Sequence, residues 1–141
     1  EQSTENFYQL VLVVGRTATS KTKLLQDFIQ TQGISMINLN LELSTRMLEL
    51  SSRARALRAS SIISEIINQN RYPIVIDNIE ALFSTDLKLN PLNLLKSMSR
   101  SGPIITSWPG YFENCKLHYA EIGHPEYKEY DIEGICYINL N

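Results

Sequence analysis

At 141 residues the chain has the length of a single domain, 1–141, with enough sequence to bury a proper core. Its 43% apolar and 20% charged residues exclude a disordered or fibrous chain. A net charge of −2 excludes a global basic field for nucleic acid, and no apolar run approaches the roughly 20 residues of a membrane span.

The chain opens without Met on a polar stretch, Glu1–Asn6, that lacks the basic start of a secretory leader, so a cytoplasmic protein is expected. Phe7 and Tyr8 close this lead-in, either packing as N-terminal aromatics or stacking on a base. Leu10–Val14 is a continuously apolar strand that breaks at Gly15. Ser20, Lys21 and Thr22 follow, and the spacing of Leu24, Leu25 and Phe28 predicts a helix over Lys21–Gln32, closed by Gly33.

Strand, loop and helix in that order, carrying GRTATSKT, form the pattern of a phosphate-binding P-loop. Such a loop wraps phosphates with successive backbone N–H groups, here from Gly15, Arg16, Thr17, Ala18, Thr19 and Ser20, at the positive end of the helix. Lys21 then reaches the β- and γ-phosphates and the Thr22 hydroxyl binds Mg²⁺. Ser20 departs from the usual second glycine; its Cβ takes room and its hydroxyl adds a donor. Lys21 is expected to be a solvent-facing loop cation, so Lys21→Ala should abolish nucleotide binding and leave the fold intact.

Ile34–Leu39 reads as the second strand, with Asn40 at its end. A long helical region is expected over Ser44–Asn70, with Ser44 as N-cap and Ser60-Ser61 as a site for a break. Arg53, Arg55 and Arg58 fall within six residues of it. Pro73 closes the unit, because the residue before proline disfavours helix. Ile74–Ile76 is a third buried strand that delivers Asp77, the arrangement of a Walker B carboxylate holding magnesium.

Ser84–Asn90 is read as a polar loop, and Pro91 as the first residue of a short helix carrying Leu92, Leu94, Leu95 and Met98. Pro103–Ile105 is the fourth strand, ending in Thr106-Ser107-Trp108. Thr106 or Ser107 stands where a γ-phosphate sensor would, or has its hydroxyl satisfied by local backbone. Pro109-Gly110 is expected to turn, Lys116–Ile122 to form a fifth strand, and Gly134–Leu140 a last strand at an edge. Cys115 and Cys136 lie outside any C-x-x-C and are read as reduced thiols; His118 and His124 are read as structural rather than metal ligands.

Hydrolysis needs a group that orients and deprotonates water. Asn78 follows the Walker B Asp; it holds water but takes no proton. Glu80 is the next carboxylate and the candidate base. Arg100, or one of Arg53, Arg55 and Arg58, is a candidate for charge stabilisation supplied from a neighbouring copy. Residues 1–72 carry eight Lys/Arg against six Asp/Glu, and residues 73–141 five against nine, an asymmetry suited to head-to-tail self-assembly. DNA contact by the arginine cluster is an option that the net charge does not favour.

The separation of Asp77 from Gly15 leaves room for an inserted strand. The expected fold is therefore an α/β P-loop NTPase of the ASCE, AAA- or RecA-like branch. It is a three-layer sandwich on a mainly parallel five-stranded sheet, order 5-1-4-3-2, with no lid domain. Three functions compete: an ATP–Mg²⁺ enzyme with slow turnover completed by self-assembly, a nucleotide-gated assembly module with little turnover, and a nucleotide kinase gripping phosphate with Arg53–Arg58.

With GRTATSKT, YPIVIDNIE, RSGPIITSWPG and HPEYKEYDI, the chain resembles the BrxF family, small stand-alone P-loop proteins of BREX phage-defence systems in bacteria. The resemblance implies a cytoplasmic protein working with other BREX components. Carried over, it implies nucleotide contacts at Gly15, Lys21 and Thr22 and magnesium at Asp77, with Ser20 and Asn78 departing from the general ATPase pattern.

Overall fold

The structure is a computed structural model that describes residues 9–16, 18–34, 36–120, 126–132 and 135–140. β1 (Leu10–Gly15) leads into α1 (Ala18–Gln32), followed by β2 (Met36–Asn38), α2 (Leu39–Arg46), α3 (Ser52–Asn68) and β3 (Ile74–Asp77). Two 3₁₀ turns, Glu80–Phe83 and Thr85–Leu87, lead to α4 (Pro91–Ser99). β4 (Ile104–Glu113), β5 (Lys116–Tyr119), β6 (Lys128–Tyr130) and β7 (Cys136–Asn139) complete the order.

The fold is α/β with a mainly parallel open sheet. Its strands run β2-β3-β4-β1-β7, and every neighbouring pair on that path is parallel. Neighbours in register share a face, because side chains alternate along each strand. Val13 and Val75 face one way and meet Leu25 of α1. Leu12, Ile76, Ile104 and Trp108 face the other way, into a larger layer with Ile62, Ile63 and Ile66 of α3 and Leu92 and Leu95 of α4. The carboxyl ends of β1 and β3 therefore open on the same edge, where the loop into α1 and Asp77 both lie.

Beyond the sheet, the end of β4 pairs antiparallel with β5, and β5 with β6. This ribbon is the crossover that returns the chain to β7 alongside β1. Its aromatic side chains enter the larger layer: Phe83 stacks on Tyr119 at 3.7 Å and meets Trp108 edge-on at 5.0 Å. Trp108 is fully buried and its indole N–H donates to the His118 carbonyl at 3.1 Å.

Several elements differ from the sequence expectation. The neighbour of β1 is the C-terminal strand 136–139, and the strand at 116–119 stands outside the parallel path. Pro109-Gly110 does not turn: β4 runs through it. The reason is positional, since Pro109 is the last residue paired with β1 and Gly110 the first paired with β5. A missing N–H is tolerated where one ladder hands over to the next.

The helical region divides at 47–51 rather than at Ser60-Ser61. Asn38 caps α2 by accepting from the Leu41 N–H at 3.1 Å, and Ser51 caps α3 by accepting from Ala54 at 3.2 Å. Ser44, expected as a cap, sits inside α2 with its hydroxyl donating back to the Leu41 carbonyl. Ser61 does the same to Arg58, so α3 continues through it. Gly33 does end α1, at φ +67°, and Pro91 does open α4, behind the N-cap Asn90.

Candidate functional site

α1 begins at Ala18, three residues before the expected start at Lys21. The backbone of Ala18, Thr19 and Ser20 is therefore helical instead of forming a wrapping loop. Ser20 is compatible with this, since serine costs a helix roughly 0.5 kcal/mol less than the usual glycine would. Amides of that first turn still lack intrahelical acceptors and still point out of the helix start. Thr17 lies outside the described residues, as do Phe7, Tyr8 and His124.

Lys21 is not a solvent-facing loop cation. It is 2% exposed, and its ammonium donates to the Gly15 carbonyl at 2.5 Å. Burial lowers its pKa below the ordinary 10.5, while the charges of Glu80 and then Asp77 pull it back up. Its stem lies across Gly15, where an added Cβ would sit 3.3 Å from the Lys21 Cγ and 3.4 Å from the Leu140 Cβ. Gly15 is thus a close-approach glycine: β7's end, bonded from the Leu140 N–H to the Val14 carbonyl, presses on it from the other side.

Thr22, one residue on, donates its hydroxyl to Asp77 Oδ2 at 2.6 Å. Asp77 is 3% exposed, and its other oxygen accepts from the Asn78 N–H at 2.8 Å. Asn78 reaches that position by turning left-handed, φ 56°, a conformation asparagine tolerates better than most residues. The structure therefore brings Lys21, Thr22 and Asp77 together at one edge of the sheet.

Glu80 is near them but held. The Asn40 side-chain amide donates to its carboxylate at 3.1 Å. The same side chain accepts from the Ala81 N–H at 2.8 Å, and the Asn40 backbone N–H donates to Asn78 O at 2.9 Å. Asn40 is a brace between the start of α2 and the segment after Asp77. Sequence reasoning placed Asn40 at a strand end and gave it no role. The available signal was an amide side chain beyond the carboxyl end of a parallel strand, where ligands gather in such sheets.

Of the two sensor candidates, Thr106 is fully buried, in register with Ile76 and Leu12 on the larger-layer face, and its hydroxyl donates to Ser107 O at 3.2 Å. Ser107 alternates to the opposite face, the side of Val13 and α1. Arg100 caps α4 before β4 begins, at the edge opposite Asp77, so it cannot serve its own chain's site. Arg53, Arg55 and Arg58 ride on a helix docked by Ala59, Ile62, Ile63, Ile66 and Ile67, not on a separate lid. Arg55 also donates from Nε to the Leu50 carbonyl at 3.1 Å.

His118 is 4% exposed. Its Nε2 donates to the Glu113 carbonyl at 3.0 Å, and its Nδ1 pairs with the Tyr127 hydroxyl, also at 3.0 Å. No group of three or more His, Cys, Asp or Glu able to hold a metal occurs among the described residues. No helix among them is long and apolar enough to cross a membrane.

The donor set fits a magnesium–nucleotide pair better than a metal held by protein alone. One hydroxyl and one carboxylate in contact offer two hard oxygens, and Mg²⁺ characteristically takes one or two such ligands and completes its shell from phosphates and water. A buried ammonium beside them supplies the positive charge a polyphosphate needs. Compared with protein-family models, with curated proteins and with solved structures, the chain matches none.

Proposed function

We propose that this chain is a P-loop protein that binds ATP–Mg²⁺ where β1 and β3 end. One observation carries the reading: the Thr22 hydroxyl touches the Asp77 carboxylate one residue from the buried Lys21. Lys21 would leave the Gly15 carbonyl for the phosphates, and Thr22 and Asp77 would hold the magnesium. The bound pair supplies a polarised terminal phosphate; the chain's own work is to position it.

Turnover is slow in this reading. Asn78 cannot take a proton, and Glu80, the carboxylate that can, is tied to Asn40. Arginine assistance from Arg100 requires a second copy, because that residue stands at the far edge of its own sheet. Self-assembly would then complete the site, in a bacterial defence role of the kind the BrxF resemblance implies, alongside other BREX components. The hold on Glu80 equally favours a nucleotide-gated assembly module with little turnover.

Mass measurement in solution with and without ATP–Mg²⁺, paired with phosphate release against protein concentration, tests this. A mass increase with ATP that Lys21→Ala abolishes supports the reading. Specific activity rising with concentration selects the enzyme, and assembly without phosphate release selects the module. Unchanged mass and no phosphate release at any concentration would count against both.

A further inference from the structure

Between α2, the start of α3 and the two 3₁₀ turns lies a cavity of about 230 Å³. Leu43 and Met47 of α2 and Leu87 of the second turn line it, and all three are buried, so part of its wall is apolar. Two opposite charges line the same cavity: Arg55, half-buried on α3, and Asp86, exposed on the second turn. Neither makes an ion pair among the described residues, with the other or with a third group. Arg55 is nevertheless anchored. Its Nε donates to the Leu50 carbonyl at 3.1 Å, and its two terminal nitrogens have no partner among the described residues.

An arginine held at Nε has already given up rotamer freedom, so a carboxylate meets its fork at a lower entropic cost. Asp86 calls for a cation by the same reasoning. Water occupies about 30 Å³ per molecule in the liquid, so the cavity takes a ligand of roughly seven to ten non-hydrogen atoms, too few for a nucleotide. A side chain inserted by another protein brings an apolar group or one charge. A free amino acid brings a carboxylate, an ammonium and an apolar chain on one small body. We propose that this cavity binds a free aliphatic amino acid, with its carboxylate on Arg55, its ammonium on Asp86 and its side chain against Leu43, Met47 and Leu87. Lys21, Thr22 and Asp77 do not line the cavity, so binding needs no nucleotide. Asn40 and Ala81 do line it, and the Ala81 N–H donates to the Asn40 side chain at 2.8 Å. The occupant therefore covers the bond that holds the turn carrying Glu80.

The test titrates the full chain, labelled with ¹⁵N, with L-leucine and follows the backbone amides of Leu43, Met47, Ala81 and Leu87. Saturable shifts with a dissociation constant of about 1 mM are expected for a ligand of this size. Leucinamide, which lacks the carboxylate, and isocaproate, which lacks the ammonium, should each bind about tenfold more weakly. Arg55→Gln should weaken leucine about tenfold and leave leucinamide as it was, a split that misfolding would not produce. Leucine should also slow hydrogen exchange at the Ala81 N–H. The absence of saturable shifts up to the solubility of leucine would overturn the inference. So would equal binding of leucine, leucinamide and isocaproate, which would make the cavity a merely apolar one. Resonances that move with protein concentration alone would assign the cavity to a second copy of the chain and overturn it as well.

Discussion

Thr22 and Asp77 are 55 residues apart in the chain, yet the hydroxyl of one rests 2.6 Å from the carboxylate of the other. The contact joins the first turns of α1 to the end of β3 and fixes the carboxylate's orientation from one side, while the Asn78 N–H fixes it from the other. Thr22→Val keeps the shape and removes the donor. Loss of a hydrogen bond to a buried charged group should cost about 1.5–3 kcal/mol, read as a lower denaturant midpoint with unchanged slope. An unchanged midpoint would show that the hydroxyl contributes nothing.

Lys21 should cost the empty protein stability rather than lend it. Its pKa is lowered by burial, so between that lowered value and 10.5 the unfolded chain binds the proton that the native state has given up. Stability therefore rises with pH through that window, and below it the cost of burying the charge is fully present. Lys21→Met keeps the apolar stem and drops the charge. It should be at least as stable as wild type at pH 7, with the gap closing as pH approaches 10.5, measured by urea denaturation at the two ends. A variant clearly less stable at pH 7 would contradict this.

Asn40 bridges Glu80, Ala81 and, through its backbone, Asn78. Asn40→Ala removes both side-chain bonds and leaves the Ala81 N–H without its cap, a loss of about 1–2 kcal/mol on the scale of other cap deletions. Hydrogen exchange should localise the effect, with faster exchange at Ala81 and in the turn Glu80–Phe83 and no change in α4. Uniform acceleration across the chain would mean that Asn40 acts through global stability and not as a local brace.

Gly110 marks the handover from parallel to antiparallel pairing. A Cβ there would meet the His118 carbonyl oxygen at 1.9 Å and the Trp108 indole nitrogen at 3.1 Å. The first neighbour is backbone and cannot swing away. Gly110→Ala should cost about 3 kcal/mol, the upper end of ordinary overpacking, and shift the emission of Trp108, the chain's one tryptophan. Near-wild-type stability would show that β4 and β5 part there at little cost.

The amino half of the architecture was legible because its signals are local. A continuous apolar run read as β1, Gly33 as the end of α1, and three β-branched residues before Asp77 as β3. The ribbon was not legible, since Pro109-Gly110 is good turn chemistry in isolation and only the change of pairing partner keeps it extended. Position 116–119 carried a recognisable strand, but its neighbour is a long-range property, and β7 rather than β5 lies against β1. At the site, residue types pointed to Lys21, Thr22 and Asp77, while the burial of Lys21 depends on its stem lying across Gly15, a contact that residue types alone do not announce. Asn40 escaped notice because its role is a contact made 40 residues away.

Isothermal titration of the folded full chain with ATP in excess magnesium tests the central claim most directly, with Lys21→Ala and Asp77→Asn alongside. The account predicts a saturable heat in wild type, none in Lys21→Ala, and a magnesium dependence that Asp77→Asn weakens. No heat in wild type with ATP or any other nucleotide, from protein shown to be folded, would contradict it.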